Sequence, residues 1–415
     1  MTTKNIETLI IGGGQAGLIT SYWLKQHGRE HLVLERADRP ASAWSQRWDS
    51  FTLVTPNWAF LPSGTEYAGD SPDGYMPRDE IVATFERYTA TYGLPVHYGV
   101  TVTAVRPQED RPGYRVETRE GEMDALNVVV ATGLFQRPKI PAFAAGLPAG
   151  VLQLHSEQYR NPDALPSGAV LVVGSGQSGC QIAEELYQSG RRVYMSIGST
   201  GRGPRTYRNK DIFRWLKIIG YLDRTPDKLP SPKARFAGNP HVSGARGGHD
   251  LNLHQFARDG VTLLGHVQGS FDGTLSFAPD HKESLRKSDA FAATLLDAID
   301  GYVARSGMDA PDERPPVLRD GYDVDAVTEL NLARAGVTTL IWAAGYDFDF
   351  DLVKLPVTDE YGFPIQQRGV TSYPGLYFVG LPWLHTQQSG LLMGVGEDAR
   401  LIAEHIAGRT PSTRE

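Results

Sequence analysis

ETLIIGGGQAGLITSYWLKQHG, from Glu7 to Gly28, opens as an apolar strand, passes through clustered glycines and continues as an amphipathic helix. AVLVVGSGQSGCQIAEELYQSG, from Ala169 to Gly190, repeats that pattern. The glycines fall in one frame, Gly12, Gly14 and Gly17 in the first segment and Gly174, Gly176 and Gly179 in the second. Each segment then returns to another strand, HLVLE ending at Glu35 and RVYMSI ending at Ile197. One βαβ unit is used twice, and this organises the rest of the chain.

A G-x-G-x-x-G loop between strand and helix has a physical task. Its first glycine permits the tight turn, the second lets backbone approach a pyrophosphate, and the third lets helix and sheet pack closely. The helix N-terminus adds partial positive charge. One such string alone is weak, because a chain with 45 glycines produces chance matches. Here each follows an apolar strand and opens a helix, the context that gives the motif meaning.

The second strands end differently. Glu35 closes the first unit, where an acid accepts hydrogen bonds from an unmodified ribose. No acid closes the second. Ser199, Thr200, Arg202 and Arg205 follow instead, and hydroxyls with guanidinium forks suit a 2′-phosphate. The first site reads as FAD and the second as NADPH, with NADH as the alternative.

NVVVATG (Asn127 to Gly133) and TTLIWAAGY (Thr338 to Tyr346) are buried-strand patterns ending in small-small-glycine turns. They mark where the chain leaves the first domain and returns to it. The expected fold is α/β with two Rossmann-like domains, the second inserted in the first. Residues 1–148 and 346–415 form the FAD-binding domain, and 149–345 form the NAD(P)H-binding domain. A less regular, substrate-related insertion is expected at about 207–316.

Composition narrows the class. The chain has 415 residues, 40% apolar and 21% charged, which suits a globular enzyme of two or three domains. The net charge of −7 and the lack of a basic stripe argue against nucleic-acid and membrane partners. Cys180 is the one cysteine, so neither an intramolecular disulfide nor a thiolate metal cluster can form, and a cytoplasmic location is the default. The glycine-interrupted start does not read as a secretory signal. No metal site is expected, since His249 and His254 have no evident third ligand.

Beyond the glycine loops, several segments resemble the class B flavin monooxygenases, over nearly the whole chain. WSQRWDSFTLVTP (Trp44 to Pro56) resembles the segment that wraps FAD in that family, and YMPRDEIVATFERY (Tyr75 to Tyr88) its following Pro-Arg helix. LHSEQYRNP (Leu154 to Pro162) resembles the second half of the fingerprint F-x-G-x-x-x-H-x-x-x-(F/Y/W), through His155 and Tyr159. The first half is missing, with Ala149 and Val151 where Phe and Gly belong. GLPWLHTQQSGLLMGVGEDA (Gly380 to Ala399) resembles the family's C-terminal flavin-contacting stretch.

The resemblance implies an FAD-dependent, NADPH-consuming monooxygenase that forms a C4a-(hydro)peroxyflavin and oxygenates a small molecule with O₂. Tyr159-Arg160, where Baeyer–Villiger enzymes carry Trp followed by Pro or Asp, favours oxygenation at nitrogen or sulfur. It assigns FAD binding to Gly12, Gly14, Gln15, Ala16, Gly17, Glu35, Arg36, Trp44, Arg47, Trp48, Val102, Thr132 and Gly133. NADPH binding falls to Gly174, Gly176, Gln177, Ser178 and Gly179, with Ser199, Thr200, Arg202 and Arg205. Asn57, His155, Gln387 and Gln388 are the catalytic candidates, His155 in a domain-orienting role. A plain NAD(P)H:acceptor oxidoreductase remains the alternative. A disulfide reductase would need a second redox cysteine, and a non-catalytic nucleotide-binding protein would carry no flavin. A homodimer is compatible with the sequence.

Overall fold

The computed structural model describes residues 4–60, 62–237 and 240–409. Two sheets dominate it, the first mixed and the second parallel, each built around one glycine-loop strand. The first has seven strands. Along one half, Val96–His97, His31–Leu34, Lys4–Ile11, Glu122–Val130 and Leu376–Phe378 run parallel in that order. Along the other half, Glu122–Val130 turns into an antiparallel ribbon with Tyr114–Thr118 and Val102–Pro107. The second sheet has five strands, all parallel, in the order Thr262–Leu264, Val193–Ser196, Ala169–Val173, Val337–Trp342 and Leu152–His155.

These strands are apolar runs because both faces are covered. Alternate residues enter different cores. Ile10, Val33 and Val129 join one cluster with Leu18 and Ile402. Leu9, Ile11, Leu34, Val128 and Phe378 join another on the opposite face. The second sheet does the same, with Val170, Val172 and Ile341 facing one way and Leu171, Val173, Leu340 and Trp342 the other. The helix Gln15–Gln26 packs against the C-terminal helix Val395–Gly408, through Leu18, Ile19, Ala399 and Ile402.

In each sheet the glycine-loop strand lies between its own βαβ partner and a strand reached by a long return. Chain order therefore reverses beside each glycine turn, which is where open α/β sheets bind ligands. The two crossing segments meet as an antiparallel pair, Arg137–Pro138 against Tyr346–Asp347, with Lys139 and Asp347 in a 3.1 Å ion pair.

The stretch expected to be irregular is more ordered than its pattern suggests. It supplies the edge strand Thr262–Leu264, a hairpin of Val267–Phe271 with Thr274–Phe277, and a 26-residue helix, His281–Ser306. The edge strand has only three residues and the hairpin is half exposed, so neither carries a strong period. Ahead of them in the chain, Ile212, Phe213, Trp215 and Leu216 bury against Ile299, with Val54, Trp58, Leu391 and Met393 packed on the same cluster. The insertion is thereby fastened to the loops of the first sheet. Among the described residues, no helix is long and apolar enough to cross a membrane.

Candidate functional site: two matched glycine turns

The two turns agree atom for atom in what they permit. Gly12 and Gly174 have φ of +111° and +109°, a region other residues rarely adopt. A Cβ on Gly12 would lie 2.5 Å from the Ala131 carbonyl oxygen, and one on Gly174 2.4 Å from that of Ala343. A Cβ on Gly17 would lie 1.9 Å from the Gly12 oxygen, and one on Gly179 2.0 Å from that of Gly174. These four positions are closed by protein. Gly14 and Gly176 differ, for a Cβ there would meet nothing within 4 Å.

So the middle glycine of each turn keeps open space beside a helix start. Neither helix has a side-chain cap or an acid in its first turn. The first backbone N–H groups of a helix have no intrahelical partner, and the macrodipole favours an anion there. A cradle of bare backbone with partial positive charge fits a pyrophosphate.

Around the first turn, the Glu35 carboxylate accepts from the N–H of Gly13 at 2.5 Å and of Ala37 at 2.8 Å. Arg36 is exposed next to it. Gln15 donates to the Gly390 carbonyl at 3.1 Å, joining the turn to the C-terminal loop. Ala16 lies under Gly380, whose Cβ would stand 2.5 Å from that of Ala16. Thr132 accepts from Gln136 at 2.8 Å, and Gly133 turns with φ +74°. Trp44 and Trp48 pack on Phe51, and the Arg47 guanidinium lies 4.5 Å over the Phe135 ring. Val102 is half-buried on the antiparallel ribbon.

Around the second turn, Gly174 N–H donates to Ser196 as Gly12 N–H donates to Leu34. That register places Ile197, not an acid, where the first unit has Glu35. Ser175 bridges to Gly198, accepting its N–H at 2.9 Å. Gln177 donates to the Val242 carbonyl at 2.9 Å, while Ser178 is half-buried in the first helical turn. Ser199 is exposed, and Thr200 donates to the Ser175 carbonyl at 3.0 Å. Arg202 reaches Asp289 at 2.8 Å with a side chain still partly open.

Arg205 turns inward. It is 3% exposed, paired with Asp211 at 2.5 Å, donating to the Val54 carbonyl at 2.7 Å and stacked on Tyr75 at 4.7 Å. Its charge ties the insertion to the loop before Asn57. A GRGPR string does not reveal which arginine turns inward, because the partners Asp211 and Val54 come from elsewhere.

Asn57 is 5% exposed, donating to Tyr67 and to the Ser71 carbonyl, while its Oδ1 is buried without a partner. His155 is 1% exposed, with Nε2 3.1 Å from the Gly345 carbonyl and its ring edge-on to Tyr346. Burial lowers its pKa against the opposing pull of that carbonyl. It fastens the strand Leu152–His155 to the return crossing. Gln387 accepts from Arg224 at 2.6 Å, and Gln388 donates to Asp223 at 2.7 Å with its own oxygen unpartnered. Both hold the C-terminal loop to the insertion.

The histidines left without a metal role have protein partners. His249 meets Glu184 at 2.8 Å and His254 meets Asp289 at 3.1 Å. The sequence reading did not single out Asp398, in the first turn of the C-terminal helix. It is 1% exposed, and burial pushes its pKa up to about 6 despite the nearby Arg368. Nothing in the apolar pattern around it marks an acid that turns inward.

Two dinucleotide-shaped turns in one chain define a class of oxidoreductase, and comparison with known proteins agrees. Residues 9–218 match the pyridine nucleotide-disulphide oxidoreductase family, and the chain belongs to it. The "uncharacterized oxidoreductase CzcO-like" protein of Geobacillus kaustophilus is 33% identical over 97% of this chain and 98% of its own. The probable indole-3-pyruvate monooxygenase YUCCA10 of Arabidopsis thaliana is 30% identical, over 67% and 78%. The flavin-containing monooxygenase of Stenotrophomonas maltophilia superposes with a TM-score of 0.66 at 19% identity, covering 97% and 98%. Within the family, this chain is an oxidoreductase of the class B flavin-monooxygenase type. Cys180 is buried, and burial raises its thiol pKa, so it is a packing residue.

Proposed function

We propose that the first turn holds FAD, the second holds NADPH, and the enzyme uses both with O₂ to oxygenate a small organic molecule at nitrogen or sulfur. The observation that carries this reading is the paired open space at Gly14 and Gly176, beside otherwise closed turns. Bound there, the two cofactors supply hydride transfer and oxygen activation. The chain's own residues supply position and dryness.

Glu35 orients the adenosine ribose in the first site. The neutral Ile197 and the nearby Ser199, Thr200 and Arg202 leave room for a 2′-phosphate in the second. The buried Oδ1 of Asn57 and Oε1 of Gln388 are acceptors lacking donors, which suits N–H groups of a ring system or a bound amide. Gln387 is held by Arg224 and sets the loop. His155, hydrogen-bonded to Gly345, fixes the angle between the two sheets rather than moving a proton. The packing of the half-buried Val54, Trp58, Leu391 and Met393 against the insertion helps keep water out.

The test is product analysis under labelled O₂, with rapid mixing of reduced enzyme and O₂. Oxygenation predicts label in the product and a spectroscopic species between reduced and oxidised flavin. Direct reoxidation that releases every electron pair as H₂O₂, with any nitrogen or sulfur nucleophile tried, rejects it in favour of a plain acceptor oxidoreductase.

A further inference from the structure

A groove of about 460 Å³ lies beside the C-terminal loop. Its lining mixes apolar side chains, Phe363, Ile365 and Trp383, with Arg235, Arg368 and His385. Ile365 is 55% exposed, so an uncovered apolar surface reaches the groove.

The charges in this groove do not balance. Arg235 lies 4.5 Å over the Phe363 ring and shares a 3.1 Å ion pair with Asp359, yet its Nε is buried without an acceptor. Arg368 has no ion pair among the described residues, and its Nε is also buried and unpartnered. The backbone of Arg368 takes φ +51°, an unfavourable conformation for a residue other than glycine, and the fold holds it there. The acid that feels Arg368 is Asp398, whose pKa burial raises and which stands outside the groove lining. Burial first and Arg368 second lower the pKa of His385, against the opposing pull of Glu397. Two guanidinium groups thus face Asp359 as their one lining carboxylate.

A buried N–H donor without an acceptor is costly, more so on a charged group. An incoming carboxylate would satisfy it, since the guanidinium fork matches two carboxylate oxygens. The apolar side chains of the lining would take an apolar body, the usual division of labour in a small-molecule site. We infer that this groove binds a small organic acid with an aromatic or aliphatic body, its carboxylate on Arg368 and its body against Trp383 and Phe363. The inference deepens the functional reading above by naming the substrate class, and it rests on that reading. The loop that carries Trp383 continues through Gln387 and Gln388 to Gly390, which accepts the hydrogen bond from Gln15 of the first turn.

The experiment titrates the FAD-loaded enzyme, without NADPH, with matched acid and amide pairs, phenylacetate against phenylacetamide and hexanoate against hexanamide. The part of the tryptophan fluorescence change that is lost in Trp383→Phe reports occupancy of the groove. The expected result is at least tenfold tighter binding of an acid than of its amide, a preference lost in Arg368→Met and weakened in Arg235→Met. Equal affinity for acid and amide, or no binding by any acid, overturns the inference on the unmodified protein alone. An acid preference that survives in both variants overturns it too. Flavin content of each variant reports folding. Because no oxygen is consumed, this result stands apart from the labelled-oxygen test of monooxygenation.

Discussion

The backbone N–H of Gly13 donates to the Glu35 carboxylate at 2.5 Å, clamping the end of one strand to the glycine turn that follows another. A charged acceptor at this point does two jobs, since it also faces the ribose side of the proposed FAD site. Glu35→Gln keeps an acceptor but removes the charge, and hydrogen bonds to charged groups are worth about 1.5–3 kcal/mol. FAD affinity should fall about tenfold or more, with little change in the fold. Titration of the apoprotein by flavin fluorescence checks it.

Substitutions in the turn should separate folding from binding. Gly17→Ala places a methyl 1.9 Å from the Gly12 oxygen, and backbone cannot step aside cheaply. It should cost more than about 2 kcal/mol, seen as a lowered unfolding midpoint. Gly14→Val points into open space and should fold near normally while losing flavin. The same pair in the second unit, Gly179→Ala and Gly176→Val, should behave alike toward NADPH.

Arg202 and Arg205 should part company. Arg202→Gln should raise KM for NADPH about tenfold and leave KM for NADH unchanged, the mark of a lost phosphate contact. Arg205→Met strands Asp211 in a buried site, a change that costs about 3–5 kcal/mol. Its signature is thermal instability without a switch in nicotinamide preference. Steady-state kinetics with both coenzymes, beside melting curves, distinguishes the two.

Asp398 gives a pH dependence of unusual sign. Its folded pKa, near 6, lies above the ordinary 3.8, so the folded state holds the proton more tightly. Stability should therefore fall as pH rises from about 4 to about 6, by up to about 3 kcal/mol. Asp398→Asn removes that slope and should be the more stable protein above pH 6. Denaturation at pH 5 and at pH 7.5 tests the difference.

Much of this architecture was readable because it is local. Strand, glycine turn and helix are contiguous in both units, and the small-small-glycine endings at Gly133 and Gly345 mark the neighbouring strand ends that press on Gly12 and Gly174. What the sequence hid depends on partners far away in the chain. Arg205 and Arg202 look alike in one loop, and only Asp211, Val54 and Asp289 sort them. Asp398 sits in an ordinary helical first turn until Arg368 and the loop around Ser389 enclose it. The short edge strand Thr262–Leu264 borrows its order from the sheet it joins rather than from its own three residues. The groove beside Trp383 gathers Arg235, Arg368 and His385 from three separate segments, so no spacing announces it.

The most direct measurement is the visible absorbance of the purified protein, recorded without oxygen before and after NADPH. Two working dinucleotide sites predict flavin bands in the protein as isolated or after loading with FAD, bleached when NADPH is added. A protein that stays colourless after incubation with FAD, or whose bound flavin NADPH and NADH both fail to reduce, contradicts the account.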